Sequence, residues 1–187
     1  MSVSTNDLKT GMTLEFDGVL WTVQYFQHVK PGKGPAFVRT KLKNFKTGAV
    51  VERTFRADEK VGLAIVDRRE MQYLYREGDG FVFMDTESYE QLPIPREVVG
   101  DAARYLLEGA TALVAVYDGS PIGVELPTAV VLSVTQTDPG VKGDRVSGAL
   151  KPATLETGLT VQVPLFVEQG DRIKVDTRTG EYLTREQ

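Results

Sequence analysis

The segment best suited to chemistry is Lys30-Pro31-Gly32-Lys33-Gly34-Pro35, in which one lysine is flanked symmetrically by glycines and then by prolines. The glycines remove side-chain bulk on both sides and permit positive φ. The prolines fix φ and stiffen the base. The product is a narrow prong with one ammonium, a flexible point charge whose three donors suit phosphate or ribose oxygens. An ordinary turn with a solvated lysine has the same composition. A nucleotide-binding P-loop is excluded, because G-x-x-x-x-G-K-[ST] is absent and Gly34 follows Lys33.

The residues after the prong carry a second signal. Strand alternation over 36–45 puts Val38, Thr40 and Leu42 on one face. Phe37, Arg39, Lys41, Lys43 and Phe45 fall on the other. Cations interleaved with aromatics suit a phosphate backbone with bases to stack on. A solvated outer face has the same pattern. Lys30, Arg39, Lys41 and Lys43 form the candidate RNA-binding set.

Other sites are weaker. Gly143-Asp144-Arg145 and Gly78-Asp79-Gly80 read as turns whose aspartate closes on its own backbone. His28, just before the prong, reads as structural or exposed. Trp21, Val23 and Tyr25, at alternate positions, are expected to fill one core. Near the C-terminus, Tyr182 reads as a packed ring and Arg185 as a solvated cation.

Composition removes whole classes of function. The 187 residues include no cysteine and one histidine. Disulfides, thiolate metal sites, a thiol nucleophile and a multi-histidine metal site are therefore excluded. No pair of carboxylates stands out, so no catalytic residue, metal or cofactor is assigned. The start, MSVSTNDLKTGM, has no apolar h-region, and no run approaches the ~20 apolar residues of a membrane span. A soluble cytoplasmic protein, not membrane-bound, is expected.

The net charge of −4 hides an asymmetry. Residues 1–64 hold ten basic and six acidic side chains, 65–128 five and twelve, and 129–187 seven and eight. A basic first third beside an acidic middle suggests that one end meets a polyanion.

The elements that position these residues read as strands almost throughout. Runs such as GVLWTVQYF, AFVRTKLKNF, ALVAVY and LTVQVPLFV alternate with Asp-Gly, Pro-Gly and Thr-Gly turns. This spacing predicts small barrels or sandwiches rather than βαβ units. Strands are expected over 20–28 and 36–45. The spacing predicts a helix over 96–107 closed by Gly109, and a helical turn over 151–158 with proline near its start and glycine at its end. Boundaries fall near 64 and 128, giving units 1–64, 65–128 and 129–187. No internal repeat is evident.

KPGKGPAF (30–37), VVERTF (50–55), MQYLYREGDGFVFMDTESYEQ (71–91) and the stretch from TDPGVKGDRVSG through GEYLTR (137–185) resemble bacterial elongation factor P over nearly the whole chain. The resemblance implies an all-β chain of three small barrels, an SH3-like (KOW-type) domain and two OB-folds, in an L-shaped outline like that of tRNA. It implies binding to the ribosome between the peptidyl-tRNA and exit sites, where the family relieves stalls at consecutive prolines. Lys33 stands where the family approaches the CCA end of the peptidyl-tRNA, with Pro31, Gly32, Gly34 and Pro35 as its scaffold. Many members extend that residue through a modifying enzyme. The Pro-Gly-Lys-Gly-Pro form resembles a subgroup working with unmodified lysine, so Lys33 is expected to act unmodified. Gly143 and Asp144 match the family's Gly-Asp-Thr loop, which approaches the exit-site mRNA codon; Arg145 departs from it. Ribosomal RNA is a further implied partner, and a monomer is expected. The alternatives are an elongation-factor-P-like paralogue and a generic RNA-binding OB/SH3 module.

Overall fold

The computed structural model describes residues 1–140 and 148–187. It is built almost wholly of strands in three antiparallel sheets. The first comprises β1 (Ser2–Ser4), β2 (Thr13–Phe16), β3 (Val19–Val29), β4 (Phe37–Asn44), β5 (Val50–Arg56) and β6 (Lys60–Ala64), in the order β1-β6-β2-β3-β4-β5. The second holds β7 (Asp67–Glu77), β8 (Gly80–Asp85), β9 (Gln91–Ile94), β10 (Thr111–Tyr117) and β11 (Ser120–Glu125), in the order β11-β10-β7-β8-β9. The third holds β12 (Ala129–Thr137), β13 (Leu150–Leu155), β14 (Thr160–Pro164), β15 (Arg172–Asp176) and β16 (Tyr182–Glu186), in the order β14-β13-β12-β15-β16. Its outer strands β14 and β16 come into contact, as a sheet curling on itself requires.

The chain divides into two compact units, residues 1–68 with 115–123, and residues 69–114 with 124–187. In the first, Leu8, Leu14, Val23, Val38, Leu42, Phe55 and Val61 form the core. Thr40 is also fully buried, which its hydroxyl tolerates by donating to the Arg53 carbonyl at 2.6 Å. The 115–123 segment joins this unit where the Tyr117 hydroxyl donates to Glu15 Oε2 at 2.8 Å and the Phe45 ring lies against Gly123. In the second unit, Leu132, Val134, Ala153, Leu155, Val161, Val163, Val167, Ile173 and Val175 pack together with Tyr105.

Two helical expectations fail. The 96–107 segment forms only a four-residue helix, α1 (Arg96–Val99), followed by a 3-10 turn over Gly100–Arg104. Gly100 takes φ 58° and stops the α-helix after one turn. The 151–158 segment is no helical turn. It contains most of β13, where Lys151, Ala153 and Leu155 are buried and Pro152 and Thr154 are not, a period of two that outweighs the proline-glycine signal.

A recurrence missed in the sequence emerges in three hairpin loops, 44–49, 85–90 and 176–181. In each, the first residue's side chain accepts from the backbone N–H groups two and three positions on. The acceptors are Asn44 (2.9 and 3.0 Å), Asp85 (2.8 and 3.1 Å) and Asp176 (2.7 and 3.3 Å). The fourth residue's hydroxyl, on Thr47, Ser88 or Thr179, accepts from the sixth residue's N–H. The fifth residue's N–H returns to the first carbonyl at 2.8–2.9 Å, and the first N–H donates to the sixth carbonyl. The second residue's N–H reaches a carbonyl in or just before a neighbouring strand: Phe45 to Leu20 in β3, Thr86 to Glu70 in β7, and Thr177 to Thr128, the residue before β12.

Candidate nucleic-acid interface

The prong grows from the longest ladder of the first sheet. β3 and β4 pair from Trp21↔Asn44 to Val29↔Phe37, so the loop leaves the ends of two paired strands. Lys30, Gly32, Lys33, Gly34 and Pro35 are all exposed. Gly34 takes φ 105°, which a side chain resists. Gly32 has no positive φ, and among the described residues no heavy atom lies within 4 Å of where its Cβ would sit. Nothing among the described residues demands glycine at 32. Its missing side chain bears on whatever approaches from outside.

β4 divides its faces as alternation predicts, with Val38, Thr40 and Leu42 buried and Arg39, Lys41 and Lys43 exposed. The ladder register adds neighbours to the cations. Lys41 lies between Tyr25 and Glu52, Arg39 between Gln27 and Thr54, and Phe37 between Val29 and Arg56. Lys41 Nζ sits 3.7 Å from Glu52, an exposed pair that holds the lysine only weakly. Arg56, the residue directly after the motif VVERTF, adds a fourth exposed cation on this side of the sheet.

Tyr25 is a correction. It was expected in the core beside Trp21 and Val23, yet it is 47% exposed. The ladder slips between Val23 and Tyr25, leaving Gln24 as an extra residue. One inserted residue in a strand exchanges the two faces beyond it. Phe26 therefore turns inward, opposite Thr40, His28 shares its face but stays exposed at the strand end, and Tyr25 and Gln27 turn toward the cations. The signal was the odd interval between the core residues Val23 and Phe26. Trp21 stays inside the first unit, stacked on Phe16 at 5.4 Å, while Arg53 lies 4.3 Å over the other ring of that pair. His28 is exposed, its ring 5.7 Å from Phe26.

Gly143, Asp144 and Arg145 lie outside the described residues. In the third sheet, Tyr182 packs against the core of the second unit, and Arg185 pairs with Asp171 at 3.5 Å and covers the Phe166 ring at 5.2 Å. Gly78 and Asp79 form a two-residue turn between the paired Glu77 and Gly80. Among the described residues, no group of three His, Asp or Glu side chains is placed to hold a metal ion, and no helix is long and apolar enough to cross a membrane.

Three family models match consecutive parts of the chain: the elongation factor P KOW-like domain over 4–61, the elongation factor P OB domain over 66–124, and the elongation factor P C-terminal region over 130–185. Elongation factor P of Acidothermus cellulolyticus is 66% identical over 182 residues, covering 97% of each chain. That of Mycobacterium avium is 59% identical over the same span and the same shares. Among solved structures, eukaryotic translation initiation factor 5A from Methanococcus jannaschii matches with a TM-score of 0.54 and 28% identity, over 66% of this chain and 93% of that one. A translation initiation factor eif-5a family protein from Naegleria fowleri shares the fold at a TM-score of 0.52 and 18% identity, over 67% of this chain and 98% of that one.

The three sheets and these matches define a translation factor made of a KOW-like barrel and OB-type domains. Relatives at this identity over nearly full length settle the family: the chain belongs to the elongation factor P family of translation elongation factors.

Proposed function

We propose that the protein binds the bacterial ribosome between the peptidyl-tRNA and exit sites and speeds peptide-bond formation at consecutive prolines. Its domains in this reading are 1–64, 65–128 and 129–187. Lys33 carries its ammonium to the CCA end of the peptidyl-tRNA. Lys30, Arg39, Lys41 and Lys43 hold the RNA backbone. The 143–145 segment reaches toward the exit-site codon. All of this takes place in the cytoplasm.

The observation that carries the reading is Gly32, a glycine that neither its backbone conformation nor packing among the described residues requires. Its neighbour Gly34 and the prolines leave Lys33 as the sole side-chain charge at a thin, stiffened tip. A slim prong enters a crowded cleft that a bulkier loop cannot.

The mechanism is positioning. Holding the CCA end in an attack-ready arrangement lowers the entropic part of the barrier, and no group on the factor makes or breaks a bond. About 1.4 kcal/mol raises the rate tenfold, within reach of two or three added hydrogen bonds.

The test is Lys33→Ala. The exposed tip contributes nothing to the core, so the thermal midpoint stays at the wild-type value. Rescue of a diproline-stalled translation reaction is lost. Wild-type rescue by this variant removes Lys33 from the mechanism. Intact mass of the natively expressed protein matching the bare sequence supports action by unmodified lysine, and an added group on the Lys33 peptide refutes it.

A further inference from the structure

We propose that Tyr89 anchors the β8–β9 hairpin onto a lysine- and arginine-rich protein surface. The three matching loops provide an internal comparison. Their fifth residues all occupy left-handed backbone: Gly48 at φ 74°, Gly180 at φ 75° and Tyr89 at φ 62°. Glycine adopts this region freely, and a bulky L-residue there is an outlier. With the same hydrogen bonds closing all three loops, glycine serves the backbone at 89 as well as at 48 and 180. The chain instead keeps an aromatic ring there and leaves it 71% exposed. Burial within the fold does not repay the strain, so the ring serves a contact outside the chain. Tyrosine is well suited to this, offering a large, stiff contact face at small entropic cost.

The charges select the partner. At the third loop position the other two hairpins carry cations, Lys46 and Arg178, and this one carries Glu87. Glu90 follows the tyrosine directly. Two backbone N–H groups, from Glu87 and Ser88, hold the Asp85 carboxyl below the usual aspartate range, with burial opposing and Arg69 assisting. With exposed Glu87 and Glu90 on either side of Tyr89 in the chain, the tip disfavours a phosphate backbone. It fits a basic protein face, where a guanidinium stacks on the ring and the glutamates pair at the rim.

The proposal rests on the ribosome-binding reading, since a ribosome presents both RNA and basic protein. The experiment uses the full chain with p-benzoylphenylalanine replacing Tyr89, irradiated on 70S ribosomes carrying peptidyl-tRNA, beside co-sedimentation and thermal melts of Tyr89→Asn and Tyr89→Phe. Asparagine tolerates left-handed backbone and removes the ring. The expected results are an adduct with a ribosomal protein, roughly tenfold weaker binding for Tyr89→Asn, as removal of an anchoring aromatic produces, and near-wild-type binding for Tyr89→Phe. The melting temperature of Tyr89→Asn equals or exceeds that of the wild type. An RNA adduct, no adduct, undiminished binding of Tyr89→Asn, or a lowered melting temperature for it overturns the proposal. Wild-type protein that fails to co-sediment overturns the ribosome reading and this proposal together. Wild-type binding matched by Tyr89→Asn overturns this proposal alone.

Discussion

Replacing Arg39, Lys41 and Lys43 together by glutamine tests the cationic face quantitatively. The three side chains are exposed on one strand, so their loss leaves Val38, Thr40 and Leu42 packed as before. Each phosphate contact that releases a counterion contributes about 0.7–0.9 to the slope of log affinity against log salt. Three such contacts contribute about 2.1–2.7. Between 50 and 200 mM salt, that slope corresponds to roughly a twenty- to fortyfold loss of affinity which the wild type suffers and the triple variant escapes. The assay is equilibrium binding to 70S ribosomes by co-sedimentation across this salt range. Lys41 refines the expectation, because Glu52 lies 3.7 Å from its Nζ. Freeing it with Glu52→Gln strengthens low-salt binding, and an unpaired Lys41 adds to the slope. A triple variant with the wild-type slope, however weak its binding, shows that these cations touch no phosphate.

Two further predictions concern stability. A Cβ at Gly62 would sit 2.5 Å from the Glu15 carbonyl oxygen, which the β2–β6 ladder holds in place, so Gly62→Ala costs about 1–3 kcal/mol, as overpacking does; an unchanged urea midpoint refutes the tight ladder. Asp85 and Asp176 both have carboxyls held below the ordinary range, chiefly by backbone N–H groups from Glu87 and Ser88 in one case and from Arg178 in the other. Their carboxylate bonds therefore stabilise fully above the unfolded value near pH 4 and are lost as pH falls through the depressed folded values. Asn44 makes the same bonds without titrating, so Asp85→Asn with Asp176→Asn flattens the acid limb of a urea-midpoint profile between about pH 5 and 2; a limb as steep as wild type refutes the assignment.

The prong and its flanking strands were legible because glycine and proline punctuate two strongly alternating runs. The face of Tyr25 was not legible by simple alternation, because a single extra residue at Gln24 reverses the pattern midway along β3. The 96–107 stripe of Val98, Val99, Ala102, Ala103, Leu106 and Leu107 satisfied helical spacing, yet Gly100 turns the backbone before a second turn forms. Over 151–158 the terminal residues of a helix and of a hairpin coincide, and only the burial of Lys151, Ala153 and Leu155 separates them. Lys151 in particular reads as a surface residue until its ammonium is seen donating to the Asp138 carbonyl at 2.5 Å. The recurring loop escaped notice because asparagine and aspartate, and serine and threonine, exchange freely in its bonding positions while sharing few letters.

That loop behaves as an interchangeable part. Its closure depends on six consecutive residues and one N–H directed at the adjacent strand, a contact all three hairpins already supply. Segments 85–90 and 176–181 can thus trade places without redesigning either sheet. Such a swap moves an acidic aromatic tip to one end of the chain and an arginine-bearing tip to the middle, which lets an engineer reassign what each hairpin greets while the scaffold beneath stays constant.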